Sequence, residues 1–405
     1  VPVARVDGAH PTAGDVIGIV GAGQLARMTC EAACALGVRT VVLAERRSDC
    51  AVAIATETVL GAPGDQGAMS ALAERCPVVT FDHEQVDLDI VAGLEREGVH
   101  VRPGSATLRV AVDKAAMRDR LAAAGVPVPA YHVIDAVGAA ATGIIEEFAG
   151  TNGWPVVVKA ARGGYDGKGV WPLSGVEDAR RVCDAAERAG IPLLVEEHVA
   201  IDAELAVTMA RRPGGEAVVW PAVETTQVDG VCREVLFPGS LDGEVRARAA
   251  SLARAVASVV DAVGVLAVEI FLSGDHLVVN EIASRPHNSG HWTIEGACTS
   301  QFENHVRAVL DLPLGDPAAL FESVATVNVF GASIEPPGSP PGLGAALSDP
   351  GAHVHLYGKE PRPGRKLGHV TVCGSDPVDV RARAWAAAQA FGTLMPATLE
   401  VIGSR

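Results

Sequence analysis

Short apolar runs alternate with helical stretches along the amino-terminal part of the chain. Val16 to Val20 is apolar throughout and breaks at Gly21-Ala22-Gly23-Gln24, after which a helical stretch runs to near Gly37. Arg39 to Ala44 and Val78 to Phe81 repeat the apolar run. Strands alternating with helices in this way predict a parallel sheet covered by helices. Residues 1 to 14 read as a polar tail. Asp113 to Ala124 reads as a helix closed by Gly125, and Pro127 and Pro129 behind it mark a hinge. Further on, Leu266 to Leu272 and Leu277 to Ile282 read as a hairpin around Ser273-Gly274-Asp275. Glu335 to Gly342 (EPPGSPPG) can neither continue a helix nor pair in a sheet, so it reads as a linker. Beyond it lies a small carboxy-terminal region with a final helix predicted over Val378 to Phe391.

Composition narrows the class. A chain of 405 residues has room for two or three domains, and 48% apolar with 20% charged residues is ordinary for a soluble enzyme. The apolar stretch from Ser251 to Leu272 is interrupted by Arg254, Asp261 and Glu269, so no membrane span is expected. No charged-then-apolar leader argues for export. Eight cysteines without a CxxC pair point to free thiols in a reducing compartment, the cytoplasm. A net charge of −16 argues against non-specific nucleic-acid binding, so positive charge for an anionic substrate must be gathered locally. Only five of the 33 basic residues are lysines: Lys114, Lys159, Lys168, Lys359 and Lys366. Each falls inside a motif, as expected where a compact ammonium donor is needed.

Gly21-Ala22-Gly23-Gln24-Leu25-Ala26 fits the dinucleotide fingerprint, with Glu45 placed as a ribose-binding acid. Any tight strand-to-helix turn needs glycine there, however, and later motifs place the nucleotide elsewhere. The strand Val156-Val157-Val158-Lys159 runs into Arg162-Gly163-Gly164-Tyr165-Asp166-Gly167-Lys168-Gly169. Such a loop can press backbone N–H groups against phosphate oxygens while two lysines add point charges. It is not a Walker loop, because the Lys-Ser/Thr ending and the following helix are missing. Leu193 to Val199 is a strand followed by acids, with Glu204 beyond, able to offer a backbone edge to adenine and a carboxylate to ribose. The hairpin carries Glu269 and Glu281. A three-residue loop would make them diagonal neighbours and a five-residue loop direct opposites, whereas a two-residue loop would face Glu269 with Asn280. Two or three oxygen ligands on one face suit Mg²⁺. Ser284-Arg285-Pro286-His287-Asn288-Ser289-Gly290-His291-Trp292 reads as a substrate loop beside that metal. Tyr357-Gly358-Lys359 and Gly364 to His369 form a basic cluster suited to a phosphate monoester.

Together these motifs, with Ser300-Gln301-Phe302-Glu303, closely resemble the N5-carboxyaminoimidazole ribonucleotide synthase family, ATP-grasp ligases related to biotin carboxylase. The resemblance runs from Ile17 to about Cys373 in the family's order and spacing, and RPHNSGH after Asn280-Glu281 is its most specific part. It implies an α/β and α+β enzyme of three domains. These are a doubly wound amino-terminal domain over 15–113, an ATP-grasp core over 114–333 with a lid at about 131–199, and a carboxy-terminal domain over 343–405. It also implies Mg-ATP and a homodimer. Lys114, Lys159 and the loop from Gly164 through Tyr165, Asp166, Gly167, Lys168 and Gly169 to Val170 would hold ATP phosphates. Glu196, Glu197, Val199 and Glu204 would hold adenine and ribose. Glu269 and Glu281 would bind magnesium, with Asn280 beside the nucleotide. Gln24, Leu25, Glu84, Asp166, Lys168, Arg285, His287, Asn288, Lys359, Arg365 and Lys366 would surround bicarbonate and aminoimidazole ribonucleotide, with Asp166 orienting the amine.

Several positions depart from the family. Lys114 stands where arginine is usual, Ala22, Asp82 and Ser284 replace Gly, Glu and Pro, and Gln227 occupies a position where many members have histidine. Two other readings compete. One is an ATP-grasp ligase using formate on a related ribonucleotide, disfavoured by the RPHNSGH loop. The other is a non-catalytic NAD-binding or nucleotide-sensing module, disfavoured by the full set of phosphate and metal groups.

Overall fold

The computed structural model describes residues 15–164, 168–331 and 342–396. Val16–Val20 (β1), Arg39–Ala44 (β2), Glu57–Leu60 (β3), Val78–Phe81 (β4) and His100–Val101 (β5) form a parallel sheet in the order β3-β2-β1-β4-β5. The order reverses at β1, as in doubly wound folds, and this opens a crevice at the strands' carboxyl ends. One face is covered by the helix Gln24–Ala35 and, from much later in the chain, by Gln301–Val309; Val306, Val309 and Leu310 pack with Ile17 and Val42. The opposite face holds Met69, Leu72, Val91 and Leu94.

His305, on that late helix, pins the first sheet to the rest of the molecule. Its Nδ1 accepts from the backbone N–H of Val265 at 3.0 Å, so Nε2 carries the proton and lies 2.9 Å from Thr80 Oγ1. Burial pushes its pKa down to about 3. A group whose folded pKa is depressed contributes stability that is present above its unfolded value near 6.5 and lost as pH falls. Relative to His305→Gln, the unmodified chain should lose about 1.4 kcal/mol of unfolding free energy per pH unit between pH 6 and 4. Urea titrations of both proteins across that range check this, and parallel pH profiles would contradict it.

Tyr131–Ile134 (β6), Val156–Ala160 (β7), Val170–Leu173 (β8) and Leu193–Glu197 (β9) build a separate antiparallel sheet, β6-β9-β7-β8, in the span expected to be the lid. The largest sheet comprises Ala203–Arg211 (β10), Ala217–Val219 (β11), Val223–Val228 (β12), Val231–Phe237 (β13), Gly264–Ser273 (β14), His276–Ala283 (β15), Ser323–Phe330 (β16), Ala352–Leu356 (β17) and Lys366–Gly374 (β18). Its order is β15-β14-β10-β12-β13-β16-β18-β17, with β11 on β10. The helix Gly243–Val260 buries Ala249, Ala253, Val256 and Ala257 against Leu205, Val207, Leu266 and Val268 of this sheet. Among the described residues no helix is long and apolar enough to cross a membrane.

The carboxy-terminal region is joined to the core by a shared sheet. β16, which precedes the linker, pairs with β18 along its whole length, and β17 pairs with β18. The final helix, Pro377–Gln389, packs Ala384, Trp385 and Ala388 on Val327, Val370 and Val372. The fully buried carboxylate of Glu234 on β13 accepts from Arg381 Nε at 2.5 Å and from Trp385 Nε1 at 3.0 Å. Region and core therefore share one sheet. Residues 335–341 of the linker lie outside the described residues, as do Tyr165, Asp166 and Gly167 of the glycine-rich loop.

Candidate active site

The hairpin resolves the acid pair in a way none of the three simple loops describes. Ser273 pairs with His276, so the turn has two residues, Gly274 and Asp275, which alone would set Asn280 opposite Glu269. The register shifts beyond Ile270, and Glu281 stands opposite Glu269 instead. A β-bulge at Asn280 supplies the extra residue and re-aims the side chains around it. As a result Glu269, Asn280 and Glu281 all line one cleft of about 1150 Å³. Burial first, then the neighbouring charges of Glu281 and Glu204, push the Glu269 carboxyl up to about 7. Burial does the same to Glu204. Carboxylates crowded in this way favour a bound cation, and Glu269 with Glu281 have the oxygen donors that magnesium takes.

Glu281 and its neighbour Asn280 are each joined to a lysine singled out in the sequence. Lys114 Nζ lies 2.8 Å from Glu281 Oε1. Lys159 Nζ donates to Asn280 Oδ1 at 3.0 Å and lies 2.7 Å from Glu196 Oε2. Burial lowers the Lys159 pKa, and the Glu196 charge opposes that. Burial would raise Glu196, yet Lys159 and Arg118 outweigh it and hold the carboxyl below its ordinary value. Sequence reading missed Arg118. It is fully buried, donating from Nε to Glu196 Oε1 at 2.7 Å and from Nη2 to the Asn280 carbonyl at 2.9 Å. Its only signal in the chain was its position one helical turn after Lys114, beside the apolar Met117 and Leu121. Each oxygen of Glu196 is thus paired with a cation, which fixes the carboxylate between Arg118 and Lys159. Glu197 Oε1 accepts from the Ala130 N–H at 2.8 Å, which fastens the edge of the lid.

The substrate loop is anchored from the first sheet. Glu84 accepts from the Ser284 N–H at 3.1 Å and from Arg285 Nε at 2.6 Å. A proline at 284 could not make the first of these bonds. His287 Nε2 is 3.7 Å from Glu269 Oε1, and burial, Arg285 and Lys366 push its pKa down to about 3. The loop thereby meets the acid pair at His287 and a residue just beyond the first sheet, Glu84, at Arg285.

The dinucleotide fingerprint is closed to a pyrophosphate. Asp82 Oδ2 accepts from Gly23 N–H at 2.6 Å and Oδ1 from Ala26 N–H at 2.8 Å, so a protein carboxylate occupies the helix's anion site. A Cβ on Gly23 would lie 2.5 Å from Asp82 Oδ2, which explains the glycine without any cofactor.

Of the residues predicted for the site, Gln24, Leu25, Glu84, Lys114, Lys159, Gly164, Val170, Glu196, Glu197, Val199, Glu204, Glu269, Asn280, Glu281, Arg285, His287, Asn288 and Lys366 line the cleft, and so does Gln227. Lys168, Gly169, Lys359 and Arg365 are not among the lining residues. Lys359 Nζ donates to Gln24 Oε1, and Arg365 Nη1 donates to the Glu360 carbonyl at 3.1 Å.

Most of the chain matches known proteins. Residues 15–112 match the ribonucleotide synthetase preATP-grasp domain, 119–302 the ATP-grasp domain, and 325–383 the phosphoribosylaminoimidazole carboxylase C-terminal domain. The N5-carboxyaminoimidazole ribonucleotide synthase of Mycobacterium tuberculosis is 45% identical over 382 residues, covering 92% of this chain and 87% of the relative. That of Corynebacterium ammoniagenes is 39% identical, covering 94% and 92%. Among solved structures, the synthetase of Thermus thermophilus superposes with a TM-score of 0.83 at 35% identity, covering 94% of this chain and 99% of that one. The Aspergillus clavatus synthase in complex with ADP and 5-aminoimidazole ribonucleotide gives 0.84 at 28% identity, covering 94% and 100%. With three domain types in this order and identity of this extent, the chain belongs to the N5-carboxyaminoimidazole ribonucleotide synthase family.

Proposed function

We propose that the chain carboxylates 5-aminoimidazole ribonucleotide on its exocyclic amine, consuming ATP and bicarbonate, as a step of purine biosynthesis. The observation that carries this is the single cleft joining Lys114, Lys159, the acid pair and the Arg285–Asn288 loop. Bicarbonate oxygen attacks the γ-phosphorus of ATP, giving carboxyphosphate and ADP. The amine nitrogen then takes the carboxyl carbon, phosphate leaves, and the amine proton passes to a base for which Asp166 remains our candidate. Glu269 and Glu281 would hold magnesium, which supplies charge neutralisation at the phosphates. Lys114 and Lys159 add ammonium charge there, and neutral His287 offers a donor that does not itself attract solvent anions. Arg285, fixed on Glu84, fits the bicarbonate side by its planar cationic fork. The family resemblance also supports a homodimer. The eight cysteines, none of them paired, support a reducing, cytoplasmic setting.

The test is ADP release with bicarbonate and the nucleotide supplied together and singly. Release indifferent to both would refute the reading, and nicotinamide binding would favour the sensor module instead. The carboxy-terminal cluster is assigned to the nucleotide's phosphate, since Lys366 lines the cleft and Lys359 holds Gln24, which lines it too. Arg365→Ala should raise the KM for aminoimidazole ribonucleotide roughly tenfold, because a charge-assisted bond contributes about 1.5–3 kcal/mol. The KM for ATP should stay unchanged; the reverse pattern would exchange the two anion sites.

A further inference from the structure

We propose that Gln301 and His291 are positioning residues that hold the Asn288 carboxamide with its NH₂ group toward the cleft, as a donor to the anion formed from bicarbonate. The inference rests on the functional reading above for the identity of that anion, and on hydrogen-bond polarity alone for the relay.

The polarity starts from groups with no choice. The His287 backbone N–H can only donate, and it donates to Gln301 Oε1 at 3.0 Å. The His287 carbonyl can only accept, and Gln301 Nε2 donates to it at 2.8 Å. The fully buried Gln301 amide is therefore fixed end to end. Its remaining Nε2 hydrogen points at His291 Nδ1, 3.2 Å away, so that nitrogen must accept. A neutral imidazole accepting at Nδ1 carries its proton on Nε2. His291 Nε2 is 3.1 Å from Asn288 Oδ1, which accepts that proton's hydrogen bond. With its oxygen turned inward, the Asn288 amide has only its NH₂ left to present, and Asn288 lines the cleft.

The surroundings keep the relay in one state. His291 is fully buried and stacked on the His369 ring at 4.7 Å, with Phe302 at 5.7 Å on another side. Burial holds its pKa well below the ordinary value, so the ring stays neutral and cannot become a double donor facing Gln301 Nε2. Of the three side chains in this relay only Asn288 lines the cleft. Gln301 lies in the SQFE segment, 13 residues after Asn288 in sequence, and its side chain is what gives the RPHNSGH loop a fixed polarity.

The decisive measurement is the protonation pattern of His291 in the unaltered chain, by long-range proton–nitrogen correlation of ¹⁵N-histidine-labelled protein. The ring is assigned through its contacts with Phe302 and Tyr357. A protonated Nε2 and bare Nδ1 at pH 7 is expected; the opposite tautomer or a cationic ring would overturn the proposal. In kinetics, Asn288→Asp and His291→Phe should each raise the KM for bicarbonate roughly tenfold or more. The KM for ATP should hold, because Lys114 and Lys159 are untouched. Equal losses toward both substrates, or no change in the bicarbonate KM of Asn288→Asp, would also overturn it. ADP release that ignored bicarbonate in the unaltered chain would instead sink the functional reading, with the tautomer still deciding the relay.

Discussion

Glu281→Gln is expected to lower ADP release roughly a thousandfold while leaving the thermal melt within a few degrees of the unmodified protein. The charge removed is one of two carboxylates that face each other across the bulged hairpin. Magnesium held there would stabilise developing phosphate charge by several kcal/mol, and loss of about 4 kcal/mol corresponds to roughly three decades in rate. The same carboxylate is the partner of Lys114 at 2.8 Å, so its loss also frees the lysine from its present position. Folding should be spared because the Glu281 side chain is 42% exposed and glutamine is its isostere. Near-normal turnover in a folded variant, at saturating magnesium, would show that the hairpin is not the metal site.

The second large effect is on stability. Arg118→Met should cost about 3–5 kcal/mol, the range for removing one member of a buried ion pair and stranding the other. Glu196 is 2% exposed and would keep only Lys159, while the Asn280 carbonyl would lose its guanidinium donor. Arg118→Lys should recover part of the loss, since an ammonium can meet Glu196 but not reproduce the two-pronged contact. The shift of the urea midpoint measures both. A midpoint for Arg118→Met within about 1 kcal/mol of the unmodified chain would contradict the account.

Much of this architecture is legible in the chain itself. β1, β2 and β4 are short apolar runs ended by turn residues, and their bounds coincide with the runs read from the chain. The scarcity of lysine is informative, since Lys114, Lys159 and Lys366 line the cleft and Lys359 touches Gln24. Three features are not legible, each for a physical reason. The partner of Glu269 depends on a bulge, and register cannot be counted through an irregularity that carries no residue signature of its own. Arg118 looks like one of many surface arginines, because burial of a charge is decided by partners distant in sequence. β16 lies on the far side of a proline-rich segment from β18, and sheet pairing there is set by the apolar faces of the two strands, not by chain order. Glu196 shows the same limit: that its carboxylate is paired with Lys159 and Arg118 is decided by residues distant in sequence.

The bulge also changes what a single deletion would do. In a regular strand, neighbouring residues face opposite sides, so Asn280 and Glu281 could not both serve one cleft. Below the bulge the buried positions are Leu277 and Val279; above it the phase moves by one, to Ile282. Loss of residue 280 would restore plain alternation and still leave a glutamate opposite Glu269. It would remove the amide that Lys159 grips and the carbonyl that Arg118 reaches. On the proposed reading of the cleft, cation binding and phosphate binding would then be separable by chain length alone. One surplus residue in one strand acts as the tie rod between the acid pair and the buried cations Lys159 and Arg118.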